Sequence, residues 1–113
     1  MLRRLSIGLV LGFVPVLAAA QPGVADVPYA QEEVQVTSGT IRLAGTLTLP
    51  PGAGPHPAVV LLTGSGPQNR DEEVLGMPVF RLLADHLTRA GIAVLRCDDR
   101  GVGGSTGSVS QST

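Results

Sequence analysis

The chain has 113 residues, of which 43% are apolar and 15% charged, and its formal net charge is −1. That near-neutral charge excludes the broad basic surface by which proteins hold nucleic acid or an anionic membrane, and 3% aromatic residues are too few for base-stacking platforms. The one cysteine, Cys97, excludes an internal disulfide, and its place at the end of an apolar run predicts a small buried side chain.

Residues 1–20 have the layout of a secretory signal peptide. Arg3 and Arg4 supply a positive start, residues 5–17 form an apolar stretch, and three alanines precede Gln21. The apolar stretch is shorter than the roughly 20 residues that a membrane-spanning helix needs. We therefore predict cleavage after Ala20, a secreted or periplasmic product, and no stable membrane anchor.

Two short strands follow a leader, residues 21–32, that is rich in proline, glycine and alanine and is predicted to be flexible. Residues 33–37 alternate polar and apolar side chains, and residues 41–49 do so again after the turn signal of Ser38 and Gly39. Two alternating strands across a short glycine-containing turn predict an antiparallel hairpin.

A proline-rich loop and an apolar strand come next. Residues 50–57 contain four prolines, so they form a loop, and His56 within it is predicted to lie at the surface. Residues 58–62 are apolar without interruption, which is typical of a strand inside a sheet covered on both faces. The polar residues 68–73 are predicted to be exposed.

A helix and a second apolar strand complete the regular pattern. Pro78 suits the first helical position, and Gly91 suits the residue that follows a helix. The helix is predicted to place His86 at the surface and to face the sheet with apolar residues at helical spacing: Val79, Leu82, Leu83 and Leu87. Residues 92–95 then form a strand, and the succession strand, helix, strand predicts a βαβ unit with a parallel pair.

Gly64, Ser65 and Gly66 follow the first apolar strand directly, at the edge where open parallel sheets bind ligands. Glycines let the backbone come close to a ligand and turn its N–H groups toward it. Such groups can stabilise the oxyanion of an acyl transfer, hold a phosphate, or simply belong to a tight turn. The spacing alone leaves these three alternatives open.

The glycine-rich residues 101–107 match two known patterns imperfectly. A dinucleotide-binding fingerprint needs a glycine where Thr106 stands. Residues 103–107 read Gly-x-Ser-x-Gly around Ser105, the pattern of a nucleophile elbow, which requires a strand before it and a helix after it. Because a polar loop precedes Ser105 and a poor helix start follows it, we interpret this match as coincidental.

Six segments together resemble the α/β-hydrolase superfamily, and within it the bacterial dienelactone-hydrolase-like serine esterases. They are residues 59–66, 67–72, 80–85, 91–96, 98–103 and 105–107. The resemblance implies an α/β fold, namely the N-terminal part of an α/β-hydrolase sheet: a β-hairpin and then a βαβ unit, incomplete at the end of the chain. Residues 33–113 would be the N-terminal half of the domain.

The resemblance also implies where the chemistry lies. The loop after the first apolar strand supplies one backbone N–H of the oxyanion hole, here assigned to Ser65. A Thr-Gly pair at residues 63–64 stands where many relatives carry His-Gly. The Asp-Asp-Arg segment at residues 98–100 is structural in the family. Its carboxylates and Arg100 would tie down the loop beside the site, and Ser105 would lie in that loop. The serine, acid and histidine of the triad would lie beyond Thr113.

The predicted function is hydrolysis of a small-molecule carboxylic ester by a serine enzyme, which needs neither a metal nor an organic cofactor. Because the triad is expected beyond Thr113, the chain alone is expected to be inactive. Two alternatives stay open: a small non-catalytic exported module that binds or assembles through its glycine-rich loops, and a nucleotide- or phosphate-binding α/β protein.

Overall fold

The computed structural model describes residues 27–64 and 66–111, together with the backbone pairing of residues 14–16. Its elements in chain order are β1 (Val14–Val16), β2 (Ala30–Ser38), β3 (Ile41–Leu49), β4 (Ala58–Leu61), β5 (Glu73–Val74), β6 (Met77–Pro78), α1 (Val79–Arg89), β7 (Ala93–Cys97) and a short 3-10 helix (Val109–Gln111). Five strands form one mixed sheet in the order β1-β2-β3-β7-β4, and β5 pairs with β6 separately. A mixed sheet with a helix between parallel strands makes the fold α/β in type.

The predicted hairpin is confirmed. β2 and β3 pair antiparallel along their whole length, with Ala30 opposite Leu49. Gly39 lies in the turn with a φ of 59°, a left-handed conformation that glycine adopts without a steric penalty. Because β2 begins at Ala30, residues 30–32 belong to this strand rather than to the predicted leader.

The residue before β2 is tied to the helix. The Tyr29 hydroxyl donates a hydrogen bond to Asp85 Oδ1 at 2.7 Å, and the Arg89 guanidinium lies 5.9 Å from the centroid of the Tyr29 ring. Partial burial, together with the bond to the Asp85 carboxylate, raises the pKa of Tyr29 to about 12. The N-terminal end of the hairpin is thereby fixed to α1.

Most of the predicted signal peptide and leader lies outside the described residues. Residues 14–16 are described as β1, which pairs antiparallel with residues 33–35 of β2. Signal cleavage after Ala20 therefore stays a prediction. Among the described residues, no helix is both long enough and apolar enough to cross a membrane.

The predicted βαβ unit is confirmed, because β4 and β7 are parallel neighbours and α1 connects them. β4 nevertheless lies at an edge of the sheet as described, rather than inside it. Apolar side chains are accordingly open to solvent here. Val60 of β4 is 57% exposed, and Leu62, the residue directly after the strand, is 81% exposed. The prediction of a covered strand concerned a complete sheet, and among the described residues β7 is the strand that pairs with β4.

The helix packs on the sheet with a different face from the predicted one. Its C-terminal end follows the prediction, since Gly91, with a φ of 92°, follows the last turn. At the other end Pro78 was predicted as the first helical residue, but it belongs to β6 and the helix begins one residue later, at Val79. Ala84 and Thr88 are buried, and the Thr88 hydroxyl lies 2.6 Å from the Thr48 hydroxyl on β3. Three apolar residues that were predicted to face the sheet are exposed instead: Val79, Leu82 and Leu83. Small side chains on the contact face allow the helix to approach the sheet closely.

Strand register shows how the sheet meets the helix. Thr48 of β3 lies opposite Val94 of β7, which in turn lies opposite Val59 of β4. Because directly opposite residues point to the same face of a sheet, all three share the face on which Thr88 lies. Val94 is fully buried there, so this contact is the centre of the described core.

Candidate functional site

Two loops meet at the carboxyl ends of the parallel strands β4 and β7, and Asp99 cross-links them. Asp99 Oδ1 accepts a hydrogen bond of 2.5 Å from the Thr63 hydroxyl, and Oδ2 accepts one of 3.0 Å from the Gln68 N–H. The Asp99 N–H also donates to the Gln68 carbonyl oxygen at 3.0 Å. The loop after β4 is thus held at both ends of residues 63–68, at the edge of the sheet where α/β proteins bind ligands.

Arg70 connects this loop to the hairpin and to the end of β7. Its backbone N–H and Nε both donate to Asp98 Oδ1, at 2.8 and 3.2 Å, and its Nη2 donates to Asp98 Oδ2 at 2.9 Å. Its Nη1 donates to Glu33 Oε2 at 2.6 Å and to the Thr46 hydroxyl at 2.8 Å. We call Glu33, Thr46, Arg70 and Asp98 the arginine network. It joins β2, β3 and both loops.

The arginine network is largely withdrawn from solvent. The Asp98 side chain is 6% exposed and the Arg70 side chain 18%. Burial alone would raise the pKa of the Asp98 carboxyl, but hydrogen bonds from the Arg70 side chain and from the backbone of Arg70 and Gly104 hold it below its ordinary value. Burial would likewise lower the pKa of Arg70, and its bonds to Asp98 and Glu33 raise it instead. Both groups therefore stay charged at neutral pH.

Asp98 should contribute to acid sensitivity. Since its pKa is lower in the folded than in the unfolded state, its stabilising effect is complete above about pH 4, the ordinary range of a carboxyl, and is lost as the pH falls through the folded-state pKa. We expect Asp98→Asn to be less stable at pH 7 and to lose less stability on acidification than the wild type. Urea unfolding of both proteins at pH 7, 4 and 3 measures this difference. If the free energy of unfolding fell by the same amount in both proteins as the pH is lowered, the prediction would be contradicted.

The Asp-Asp-Arg segment contacts both loops. Its carboxylates hold the loop after β4, and Asp98 Oδ2 also accepts the Gly104 N–H at 3.0 Å in the loop that carries Ser105. Arg100 lies at this second loop, where its guanidinium donates to the carbonyl and side-chain oxygens of Gln111 at 3.3 and 3.2 Å. In the loop after β4, Arg70 supplies the cation that pairs with Asp98. Residues 68–73 were predicted to be exposed, yet Arg70 and Asp71 are half-buried, because Asp71 pairs with the buried Arg96.

The sequence did not predict a role for Glu33 and Thr46 in the candidate site. They lie opposite each other on β2 and β3, and the Thr46 hydroxyl donates to Glu33 Oε1 at 2.8 Å. The available signal was the alternation of the hairpin strands, which places both polar residues on one face. That alternation predicts that the two polar side chains lie side by side. It does not predict that Arg70 bonds to both of them.

Ser105 is held as a structural hydroxyl. Its Oγ donates to the Asp98 carbonyl oxygen at 2.8 Å and accepts from the Ala44 N–H at 2.9 Å. No strand leads directly into this serine and no helix starts directly after it, within residues 98–111 that the structure describes. The geometry therefore lacks the strand-to-helix turn of a nucleophile elbow.

Several backbone N–H groups of the glycine-rich segment form hydrogen bonds within the protein. The Gly101 N–H donates to the Thr106 carbonyl oxygen at 3.0 Å, and the Ser105 N–H donates to the Val102 carbonyl oxygen at 2.9 Å. The Gly104 N–H donates to the Asp98 carboxylate at 3.0 Å. A carboxylate in this position would repel a phosphate, so the geometry gives no support to nucleotide binding by this segment.

Ser65, the predicted oxyanion donor, lies outside the described residues. Its neighbours are described: the Gly64 N–H lies 3.4 Å from Glu72 Oε1, and Gly66 has a φ of 86°. The left-handed conformation of Gly66 explains why glycine stands there, since other residues are strained in it. Backbone N–H groups in such a turn can stabilise a developing oxyanion if a substrate carbonyl lies beside them.

The remaining candidate side chains are those of His56, His86 and Cys97. His56 is on the proline-rich loop, with its Nε2 3.3 Å from the Gly52 carbonyl oxygen, and His86 is exposed on α1. Cys97 is half-buried, and burial raises the pKa of its thiol, so it is not an activated nucleophile. No group of three or more His, Cys, Asp or Glu residues within the described part of the chain could hold a metal ion.

Comparison with known proteins adds one similarity. No protein-family model matches the chain. The chain is 42% identical over 73 residues to esterase EstD of Thermotoga maritima. The matched region is 65% of this chain and 17% of that esterase, so the chain spans less than a fifth of its relative. Together with the α/β-type fold, this similarity indicates an esterase-like relationship.

Proposed function

We propose that the chain is the exported N-terminal portion of a serine carboxylic-ester hydrolase of the α/β-hydrolase superfamily, similar to dienelactone-hydrolase-like esterases. The observation that carries the proposal is the 42% identity to an esterase. The geometry supports it, because a parallel strand pair ends in two cross-linked loops at the edge where such enzymes bind substrate.

In this proposal the chain contributes to the oxyanion hole. A serine hydroxyl adds to the ester carbonyl carbon and gives its proton to a histidine, while negative charge develops on the carbonyl oxygen. The backbone N–H of Ser65 is one donor to that oxygen. The alcohol then leaves with the proton from the histidine, and water releases the acid from the acyl-enzyme by the same steps. The serine, the acid and the histidine come from residues beyond Thr113, so residues 21–113 are inactive alone.

The Thr-Gly pair before Ser65 fits this role. Where many relatives carry a histidine that orders the loop, the Thr63 hydroxyl bonds to the Asp99 carboxylate at 2.5 Å. A short hydrogen bond to an ionised group is among the stronger kinds, so it can order the loop equally well. Asp99 and the arginine network would keep the oxyanion donor in place during the reaction.

Export belongs to the same proposal. Cleavage after Ala20 would deliver the enzyme to the periplasm or the medium, and it would remove β1 from the edge of the sheet. The complete enzyme would need no metal and no organic cofactor, because an activated serine with oxyanion donors suffices for ester hydrolysis. Its partner would be a small-molecule ester.

Turnover of p-nitrophenyl acetate by the product of the complete reading frame tests the proposal. We expect that product to hydrolyse the ester and residues 21–113 alone not to. Ser105→Ala in the complete product should keep the kcat of the wild type. Because Ser105→Ala removes two hydrogen bonds, it should lower the free energy of unfolding by about 1–2 kcal/mol. A complete product without turnover, or turnover that disappears with Ser105→Ala at a temperature where the variant is folded, would refute the proposal.

A further inference from the structure

The strand β1 lies in the predicted signal peptide, yet it pairs with a strand of the predicted mature chain. Val14 is opposite Gln35 and Val16 is opposite Glu33, in an antiparallel pair. The predicted cleavage point after Ala20 follows β1 and precedes β2, so the pairing joins the two products of cleavage. β1 thereby occupies the outer edge of β2, the kind of edge at which extended peptides add to a sheet.

The backbone hydrogen bonds of β3 show which groups of β2 point outward. The Ala44 N–H donates to Ser105 Oγ at 2.9 Å, and the Ala44 carbonyl oxygen accepts from the Asp98 N–H at 2.8 Å, so both groups point away from β2. Because these directions alternate along an antiparallel pair, the next residue, Gly45, directs its N–H and C=O toward Val34, its partner on β2. Val34 therefore bonds to β3, and its two neighbours direct their N–H and C=O groups outward.

The sequence of β1 fits these outward groups in its observed register. The two valines of β1 lie opposite Glu33 and Gln35, so each pair can exchange N–H and C=O bonds. Pro15 lies between the valines, at a position where neither strand directs an N–H at the other, so its missing donor costs no bond. A shift of one residue would place Pro15 at a bonding position. The proline thus favours the observed register.

The pairing competes with processing of the signal peptide. A segment that is paired with β2 is not free to enter an export channel or the site of a membrane-bound peptidase. Ala20 is four residues after Val16, and four residues span at most about 14 Å, so the bond to be cleaved stays close to the folded sheet. A peptidase that needs the unpaired form is slowed in proportion to the fraction of molecules that are paired.

The pairing is also weak enough to be reversible. β1 has three residues, so only a few backbone hydrogen bonds hold it, and it lies at the edge of the sheet. Such an edge opens locally while the β2–β3 hairpin stays folded. The pairing can therefore regulate access to the cleavage point without preventing cleavage.

We propose that the signal peptide is an intramolecular strand ligand of the mature sheet. In the folded precursor β1 pairs with β2 and slows cleavage after Ala20, so cleavage is rapid only before the hairpin has folded. This inference rests on the export part of the proposed function, because it assigns a regulatory contact to the segment that export removes. The pairing sets the order of processing and folding.

Amide hydrogen exchange tests the pairing, with the product of the complete reading frame compared with and without residues 1–20. We expect the Glu33 and Gln35 amides to exchange about tenfold more slowly in the longer form, because β1 bonds to them there. The Val34 amide bonds to β3 and should exchange equally in both forms. Val16→Pro removes an N–H of β1 and leaves the mature chain unchanged, so it should weaken the protection of Glu33. Equal exchange of Glu33 and Gln35 in both forms would overturn the inference.

Cleavage of the purified, folded precursor by signal peptidase tests the consequence for processing. Gln35→Pro removes an N–H that β2 directs at β1, in a residue far along the chain from the cleavage point. Tenfold protection corresponds to an unpaired fraction of about a tenth, so Gln35→Pro should be cleaved about tenfold faster than the wild type. Equal cleavage rates of the two folded precursors would refute the proposed regulation, even if the amides are protected.

Thr37→Pro is the matched control. Thr37 also directs its N–H outward, since it lies two residues after Gln35 on the same strand, but it is outside the three residues that pair with β1. A folded Thr37→Pro precursor should be cleaved at the rate of the wild type, and circular dichroism checks that both variants are folded. A precursor that the peptidase leaves intact even directly after dilution from urea, before it folds, would count against the proposed export. The amide exchange would still decide whether β1 pairs with β2.

Discussion

Asp98→Ala is expected to lower the free energy of unfolding by about 3 kcal/mol. The substitution leaves the Arg70 guanidinium, whose side chain is 18% exposed, without its main carboxylate. It also removes the acceptor of the Arg70 and Gly104 backbone N–H groups. Losing one partner of a largely buried ion pair is strongly destabilising, because the remaining charge stays desolvated. Urea unfolding of the complete reading-frame product measures the change.

Arg89→Ala is the control for this prediction. Arg89 also forms an ion pair, with Asp85 at 3.0 Å, but both side chains are well exposed at 50% and 38%. Exposed pairs contribute about 0–1 kcal/mol, so the loss should be small. Equal effects of Asp98→Ala and Arg89→Ala would show that the arginine network does not stabilise the two loops.

Gly45→Ala is the second substitution with a large expected effect. Gly45 lies on β3 opposite Cys97 of β7, and a Cβ there would lie 2.7 Å from Cys97 Sγ and 2.8 Å from the Arg96 carbonyl oxygen. Because the carbonyl belongs to the neighbouring strand, the clash can be relieved only by moving the sheet backbone. We expect a loss of about 2–3 kcal/mol in the free energy of unfolding.

Two further variants separate the effect of the clash from the effect of replacing a glycine by alanine. Gly39→Ala meets nothing within 4 Å and has only its φ of 59° to accommodate, so it should cost about 1 kcal/mol. Cys97→Ala in the Gly45→Ala background removes Sγ from the clash and should restore part of the stability. The restoration should be partial because the carbonyl oxygen of Arg96 remains in place. A Gly45→Ala protein as stable as Gly39→Ala would contradict the close strand approach.

The elements that the sequence predicted correctly are those with local signals. Alternating side chains and the turn at Gly39 define the β2–β3 hairpin, and Pro78 and Gly91 mark the ends of α1. Each signal acts through the φ angles or the hydrogen bonds of a few neighbouring residues. Ser105 is a similar case, because its flanking residues alone indicated that no strand-to-helix turn surrounds it.

What could not be predicted depends on contacts between distant residues. The leucines of α1 have the right spacing for a buried face, yet Ala84 and Thr88 make the contact, because the fit to β3 and β7 decides it. Arg70 pairs with Glu33 and Asp98, which are 37 and 28 residues away in the chain. No local pattern distinguishes Arg70 from Arg100 as the cation that binds these carboxylates.

Covalent labelling with a fluorophosphonate identifies the nucleophile of the complete reading-frame product. The reagent phosphonylates an activated serine, and mass spectrometry of the digested protein locates the modified residue. Since Ser105 Oγ already bonds to the backbone of Asp98 and Ala44, we expect no label on it. The label should lie on the serine of a Gly-x-Ser-x-Gly sequence beyond Thr113, with p-nitrophenyl acetate turnover falling in proportion. Label on Ser105, or full inhibition with no labelled serine beyond Thr113, would contradict the assignment of this chain to the oxyanion side of a serine esterase.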